Sequence, residues 1–298
     1  MSTEWKTRPE RSTLWVMRLY AWISLRAGRT AGRLLLPPIC LYFLLFARQA
    51  RRASRAYLTR ILERPPGWRE LCRHFFCFAS VVHDRLFFAA GRFDRFEVSI
   101  EGEEHVRNAL AKGRGLILLG AHFGSFEVLR AAVAAHGALP PLSVLMYLDN
   151  AAKSNRIFEN ARKQGVNVIP LGQPDSLLHA MECLHRGEML GILGDRALGR
   201  DKIVSVPFLG GMANFPQAPW LLAGLAQAPV VLFFGTHEEK NRYAIRFEAF
   251  ADGIEMPREQ RAERCAQLAG RFAQGLEAQC RQSPYNWFNF YDFWKTPD

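Results

Sequence analysis

The sequence predicts an α/β domain whose central, mostly parallel sheet is covered by helices, preceded by a helical N-terminal segment. Short apolar runs alternate with amphipathic helical patterns from residue 96 onward, which is typical of a parallel sheet covered on both faces. The chain has 298 residues, 49% of them hydrophobic, enough for a large buried core. Residues 68–298 contain no repeat, low-complexity run or Gly/Ser linker, which indicates one domain.

The N-terminal segment, residues 1–64, differs in charge from the predicted domain at 65–298. Residues 1–60 hold 12 Lys and Arg and 2 acidic residues, whereas the remaining chain holds 27 basic and 26 acidic residues. A nucleic-acid-binding domain usually carries its basic surface on the folded body. The distribution therefore favours an anionic membrane surface as a partner and counts against nucleic acid.

An uncharged apolar stretch at residues 34–47 lies between basic flanks and contains Pro37 and Pro38. It is shorter than the roughly 20 residues that cross a hydrocarbon core as a straight helix. We therefore predict a peripheral or monotopic anchor whose flanking arginines face lipid headgroups. A single tilted span and a buried hairpin packed on the body are the alternatives.

The body begins with a predicted helix at 68–89, after Pro65, Pro66 and Gly67. Strands are predicted at 96–100, 116–120, 142–148, 166–169, 189–193, 230–235 and 243–247. Helices are predicted at 103–111, 125–135, 152–163, 174–186, 217–227 and 257–282. An aromatic cluster at 285–294 ends the pattern.

The six cysteines include no CxxC pair, which removes the usual support for a zinc ribbon or a thioredoxin-type site. His179, Glu182, Cys183 and His185 have helix-compatible spacings, but such sets are more often core and surface residues of an amphipathic helix. The sequence therefore predicts reduced cysteines, no metal site and no cofactor.

The segment 115–130, GLILLGAHFGSFEVLR, carries the best candidate for catalysis. A buried strand ends at Gly120, a turn presents His122, and a helix is predicted to begin near Ser125 with Glu127 in its first turn. Ligands bind beyond the carboxyl ends of strands in α/β sheets. We predict that Glu127 accepts a hydrogen bond from one ring nitrogen of His122 and leaves the other as a base. The alternative is a capping or core histidine beside a glutamate favoured by the helix dipole.

No GxSxG-type elbow accompanies this pair, which favours direct attack by a substrate hydroxyl over a covalent enzyme intermediate. The motif AHFGSFE, residues 121–127, resembles the HX4(D/E) motif of the lysophospholipid and glycerol-phosphate acyltransferase superfamily, in particular the lauroyl/myristoyl acyltransferases of lipid A biosynthesis. The resemblance extends in order to LYFLLFARQARRASRAYLTR, RIFENARKQGVNVIP, HRGEMLGILGDRALGRDKIVSVPFLGGMANFP and YNWFNFYDFWK.

The resemblance implies a glycerol-phosphate acyltransferase-like fold, with His122 as general base and Glu127 as its acidic partner. GDRALG, with Asp195 and Arg196, resembles a block in which a basic residue lies near the thioester carbonyl or a phosphate. VPFLGG, with Phe208 and Gly210, resembles a block that shapes the acyl-chain and acceptor entrance. A surface Asp-Arg pair and a packed phenylalanine are the structural alternatives for these two blocks.

Close relatives typically read HxGNWE, so Ser125 and Phe126 depart from the pattern, and Ser125 also makes a good helix N-cap. The implied function is O-acyl transfer from an acyl thioester, carried by acyl carrier protein or coenzyme A, to a lipid or glycolipid hydroxyl at the cytoplasmic face of the inner membrane. A thioesterase that uses water in the same site and a non-catalytic lipid-binding protein are the alternatives.

Overall fold

The computed structural model describes residues 14–129, 140–147, 166–197 and 201–294. The helix predicted at 152–163 and most of the one predicted at 125–135 lie outside these ranges. The helices are α1 Leu14–Ala27, α2 Arg29–Leu34, α3 Leu36–Phe46, α4 Arg48–Leu62, α5 Trp68–Ala89, α6 Glu103–Leu110, α7 Ser176–His185, α8 Ala218–Ala226 and α9 Arg261–Gln282. The strands are β1 Glu97–Glu101, β2 Leu116–Gly120, β3 Leu142–Tyr147, β4 Val166–Leu171, β5 Met189–Leu193, β6 Ile203–Phe208, β7 Gly211–Pro216, β8 Val230–His237 and β9 Arg242–Ala251.

Seven strands form one sheet in the order β1-β9-β8-β2-β5-β3-β4. Every pairing in it is parallel except that of β8 with β9, which are joined by a short connection and run antiparallel. The predicted α/β class with a mostly parallel sheet is confirmed.

Strand β2 lies in the middle of the sheet and is buried along its whole length. Alternate side chains of a strand point to opposite faces, and the two sets pack into different cores. Ile117 and Leu119 belong to one hydrophobic cluster, and Leu116 and Leu118 to the other. The strand is therefore covered on both faces, which explains its continuous apolar sequence.

A second sheet, the antiparallel hairpin β6-β7, was not predicted. Its turn residues Leu209 and Gly210 both have positive φ, 48° and 70°, the geometry of a type I′ hairpin turn. Leucine is rare in that conformation, and Pro207 inside β6 is a residue that usually argues against a strand. Neither the turn nor the strand therefore had its usual sequence signal.

The N-terminal helices pack on the body through one face. Gly32, Leu36, Cys40 and Leu44 recur every four residues along α2 and α3, and all four are buried, while α3 lies against α5. Helix α2 passes very close to α5 at Gly32, since a Cβ there would lie 2.3 Å from the His83 ring. The opposite face of α3 is exposed.

A buried ion pair fastens α2 to the body. Arg29 donates to both carboxylate oxygens of Asp84 on α5, at 2.7 and 2.8 Å, and the Asp84 side chain is fully buried. Tyr243 on β9 donates to the same carboxylate at 2.9 Å, and Arg29 also donates to the carbonyl oxygen of Lys240. The N-terminal arginines are therefore not all turned toward solvent.

Candidate active site

The candidate site lies beyond the carboxyl ends of two adjacent parallel strands. Strands β2 and β5 pair in a register that places Gly120 opposite Leu193, the last residue of each. His122 and Asp195 each follow two residues later, so the same register brings them together. This is the edge at which α/β sheets bind their ligands.

A close contact between two backbone segments fixes the turn that presents His122. Gly124 has a φ of 59° and forms a bridge with Gly235 on β8, and a Cβ at Gly124 would lie 1.9 Å from the Gly235 carbonyl oxygen. Only glycine tolerates both the left-handed conformation and this approach. The turn is consequently a rigid platform for the histidine.

His122 is hydrogen-bonded to Asp195. Its ring Nδ1 lies 2.8 Å from Asp195 Oδ1, and its backbone N–H donates to Oδ2 at 3.0 Å. The indole N–H of Trp287 donates to the same Oδ2 at 3.0 Å. The Asp195 side chain is 1% exposed and that of His122 is 32% exposed. Substrate can therefore reach the imidazole and not the carboxylate.

The lowered pKa of Asp195 indicates which ring nitrogen of His122 carries the proton. Burial alone raises the pKa of Asp195, but the neighbouring His122 and the charge of Arg196 outweigh it and lower that pKa to about 2. An ionised carboxylate only accepts hydrogen bonds, so Nδ1 carries the proton and Nε2 is left as an unprotonated base directed away from Asp195. Burial, followed by the charge of Arg196, lowers the pKa of His122, while Asp195 opposes the shift.

Glu127 does not make the contact predicted for it. Its Oε2 accepts a hydrogen bond from Ser125 Oγ at 3.1 Å, and its Oε1 lies 3.0 Å from Arg85 Nε on α5. The sequence prediction that Glu127 holds the His122 ring is wrong, because the strand register places Asp195 against Nδ1. The motif spacing of five residues gave no indication of that register.

Arg196 follows Asp195 directly and lies beside the C-terminal segment. It donates from Nη2 to the Phe288 carbonyl oxygen at 2.8 Å, and its guanidinium carbon lies 5.4 Å from the centre of the Tyr291 ring. Its Nε is buried and has no hydrogen-bond partner among the described residues. Arg196 is also close enough to His122 for its charge to lower the pKa of the imidazole.

The backbone N–H groups of the turn are already occupied. Those of His122, Phe123, Gly124 and Ser125 donate to Asp195, Ala121, Asn286 and Gly235 respectively. These four groups do not form an oxyanion hole in this arrangement.

The other residues predicted to bind substrate, Ser125, Phe208 and Gly210, lie in packing or turn positions. Ser125 is fully buried and bonds Glu127. Phe208 is 1% exposed and packs edge-on against Trp287, with ring centres 5.2 Å apart. Gly210 lies in the hairpin turn, where an added Cβ would meet nothing within 4 Å. Asp195 was also predicted to bind substrate. Because it is buried and hydrogen-bonded to His122 Nδ1, it is placed to orient the histidine instead.

Trp287, in the C-terminal segment 285–294, is a site residue that sequence reasoning did not identify. Trp287 is fully buried, Phe123 and Trp287 form a β-bridge, and the Phe288 N–H donates to the His122 carbonyl oxygen at 2.8 Å. The aromatic cluster was visible in the sequence, but nothing local distinguishes Trp287 from its aromatic neighbours.

In the part of the chain that the structure describes, no group of three or more His, Cys, Asp or Glu side chains is placed to hold a metal ion. At this edge the fold brings together the His122-Asp195 pair, Arg196 and the buried indole of Trp287.

Comparison with known proteins identifies the family. The model of the bacterial lipid A biosynthesis acyltransferase family matches residues 83–296, which include His122, Glu127, Asp195, Arg196 and Trp287. No curated protein matches the chain. The family match covers more than half of the sequence, and the chain therefore belongs to the bacterial lipid A biosynthesis acyltransferase family, whose members transfer acyl groups to lipid acceptors.

Proposed function

We propose that the protein transfers a fatty acyl group from an acyl thioester to a hydroxyl of a lipid or glycolipid, with His122 as the general base. The observation that carries this proposal is the hydrogen bond between His122 Nδ1 and Asp195 Oδ1 at the ligand-binding edge of the sheet, in a chain of the lipid A acyltransferase family. It leaves Nε2 free to take a proton.

In the proposed reaction, Nε2 of His122 removes the proton of the acceptor hydroxyl as its oxygen attacks the thioester carbonyl carbon. The C–O bond forms, and the carbonyl electrons move to an oxyanion. Collapse of this intermediate breaks the C–S bond, and the imidazolium returns its proton to the departing sulfur. Asp195, ionised throughout, stabilises the imidazolium. A positioned base of this kind contributes about 10²- to 10⁴-fold to the rate.

Arg196 is the proposed partner of the oxyanion. The charge of Arg196, which already lowers the pKa of His122, supports this role, as do the occupied N–H groups at residues 122–125. A positive donor aimed at developing negative charge is the usual means of stabilising a tetrahedral intermediate. A phosphate of the acceptor is the alternative ligand for the same guanidinium.

Glu127 is proposed to act through Arg85 rather than through contact with His122. The charge of Arg85 contributes to lowering the pKa of His122, and Glu127 pairs with that guanidinium. Neutralising Arg85 keeps His122 a stronger base. Glu127 therefore tunes the histidine electrostatically, and Ser125 holds the carboxylate in place.

The donor is proposed to be an acylated carrier protein, because such carriers are commonly acidic and part of the arginine excess of residues 1–60 can serve them as well as the membrane. Acyl coenzyme A is the alternative donor.

We propose that the β6-β7 hairpin shapes the entrance for the acyl chain. Phe208, at the end of β6, would support it from the buried side, and Gly210 lies in its turn.

The membrane-contacting part of the N-terminal segment 1–64 is proposed to be α1 to α3, at the cytoplasmic face of the inner membrane. Large apolar side chains with exposed fractions of 37–74% cluster there, namely Leu19, Trp22, Leu34, Leu35, Ile39, Leu41, Tyr42, Phe43, Leu45 and Phe46. α4 differs, since Tyr57 and Leu58 are fully buried in the core that also contains Trp287.

The packing of α2 and α3 favours a helix that lies on the bilayer over one that spans it. Arg29–Phe46 is the segment of the described chain that is long and apolar enough to cross a membrane by composition, with a mean hydropathy of 1.3. A span would pull α2 and α3 away from α5 and break the Arg29-Asp84 pair, whose loss is costly because Asp84 is fully buried. We therefore propose that only the exposed face enters the lipid.

Labelling from one side of the membrane tests this topology. Arg26→Cys and Arg52→Cys flank the segment and replace exposed side chains, in a Cys72→Ser background that removes the natural exposed thiol. A helix lying on the surface leaves both positions accessible to an impermeant thiol reagent from the same side. Labelling from opposite sides would show a span.

Acyl transfer by purified protein tests the catalytic proposal. His122→Ala should lower transfer from an acyl thioester to a hydroxylated lipid by about 10²-fold or more, while His105→Ala, which changes an exposed histidine, should leave it unchanged. Near-normal transfer by folded His122→Ala would contradict the mechanism. Release of free fatty acid without acceptor, at the rate of transfer, would favour a thioesterase.

A further inference from the structure

We infer that Trp287 is a positioning residue of the active site, holding Asp195 through its indole N–H so that Asp195 in turn holds His122. The inference deepens the proposed function and depends on it. The observation behind it is the 3.0 Å hydrogen bond from Trp287 Nε1 to Asp195 Oδ2.

The two oxygens of the Asp195 carboxylate have different hydrogen-bond partners. Oδ1 faces the imidazole of His122, while Oδ2 accepts the backbone N–H of His122 and the indole N–H of Trp287. Two donors on one oxygen fix the plane of the carboxylate. The other oxygen is thereby aimed at the histidine ring, and this is the geometry on which the tautomer of His122 depends.

The indole is itself held rigidly. Trp287 is fully buried, and its ring packs edge-on against Tyr57, Phe208 and Phe293 with centres 4.9–5.2 Å apart. The Trp287 carbonyl oxygen lies 2.9 Å from the ring nitrogen of His74, which is buried on α5. The donor therefore has little freedom to move away from Asp195, and a tryptophan here supplies a fixed N–H as well as apolar surface.

Losing this donor changes the proton affinity of His122 in a predictable direction. The N–H of Trp287 stabilises the charged carboxylate, and without it the charge of Asp195 is more available to the imidazolium. The pKa of His122 then rises, opposite to the effect of removing Asp195, which holds that pKa up. Because the base must be neutral, the acidic limb of the rate profile moves to higher pH.

The test is the pH profile of kcat/KM for acyl transfer in Trp287→Phe, with Trp294→Phe as the matched control. Trp294 belongs to the same aromatic cluster and also contacts Phe208, but its indole donates to the Phe208 carbonyl oxygen at 3.1 Å instead of to Asp195. Trp287→Phe should lower kcat/KM at its plateau by about tenfold and move the acidic limb upward by about half a unit or more. Trp294→Phe should keep the wild-type limb.

A second variant separates the N–H from the packing. β-(3-Benzothienyl)alanine incorporated at position 287 keeps the bicyclic shape and replaces the N–H by sulfur, so it should reproduce the shift even if Trp287→Phe folds poorly. A folded benzothienyl variant with the wild-type limb would overturn the inference, as would a rate loss without a shift. Near-normal transfer by His122→Ala measured alongside would instead overturn the proposed function.

Discussion

Replacing Asp195 with asparagine distinguishes the two carboxylates that sequence and structure offer as partners of His122. The introduced asparagine keeps the size of the side chain and an oxygen for the Trp287 and backbone donors, but it has no charge. Its amide group can also present N–H to Nδ1, which would reverse the tautomer and place the proton on Nε2. The base would then be blocked at the position facing the acceptor.

The expected loss follows from the contacts. A hydrogen bond involving a charged group is worth roughly 1.5–3 kcal/mol, which corresponds to about 10- to 150-fold in rate. A wrong tautomer at a catalytic histidine raises the cost toward about 10⁴-fold. Asp195→Asn should therefore lower kcat/KM by at least about 10²-fold. Its residual activity should show an acidic limb moved to lower pH, because Asp195 raises the pKa of His122.

Glu127→Gln is the comparison, measured in the same acyl-transfer assay. Glu127 and Arg85 are 32% and 47% exposed, and an ion pair at that exposure contributes about 0–1 kcal/mol. The loss should stay below about fivefold. With both variants folded by near-ultraviolet circular dichroism, a greater loss in Glu127→Gln than in Asp195→Asn would show that Glu127, and not Asp195, is the partner of His122.

Three other predictions concern the pH dependence and the stability of the fold. Wild-type kcat/KM should fall as the pH decreases through the lowered pKa of His122, below its ordinary 6.5; a limb above 6.5 would contradict the assignment. Gly124→Ala should lower the free energy of unfolding by at least about 3 kcal/mol, because the strain of a positive φ and a backbone clash add. Gly210 also has a positive φ but open space around it, so Gly210→Ala should cost about 1–2 kcal/mol. Equal shifts in Tm for the two variants would contradict this. Arg29→Met should lower the free energy of unfolding by about 3–5 kcal/mol, because it leaves the buried Asp84 carboxylate without its charged partner. A loss under about 1 kcal/mol in thermal unfolding would contradict the role given to this pair.

The sequence predicted those elements whose pattern is local. The seven strands of the main sheet and the helices at 68–89, 103–111, 174–186 and 217–227 lie within a few residues of the structure. The central strands β2, β5 and β8 are buried along nearly their whole length, so each has a continuous apolar run in the sequence. The β6-β7 hairpin was missed since Leu209 occupies a turn position that glycine or asparagine usually fills.

The site was predicted only in part, because motif spacing reports neighbours along the chain and not across a sheet. His122 was found from its place after a buried strand. Asp195 was found as a motif residue, yet its pairing with His122 depends on β2 lying beside β5. The signal that would have given it is that both residues follow a strand by two positions. Trp287 lies 92 residues after Asp195 in the sequence, and no local sequence pattern indicates their contact.

Acyl transfer to a lipid hydroxyl by the His122-Asp195 pair leaves a product that mass spectrometry of membrane lipids detects, in cells that produce the wild-type chain, His122→Ala at equal level, or neither. We expect a lipid heavier by one acyl group only with the wild-type chain. The same heavier lipid with His122→Ala would contradict it, and so would a wild-type chain that releases free fatty acid and forms no acylated lipid.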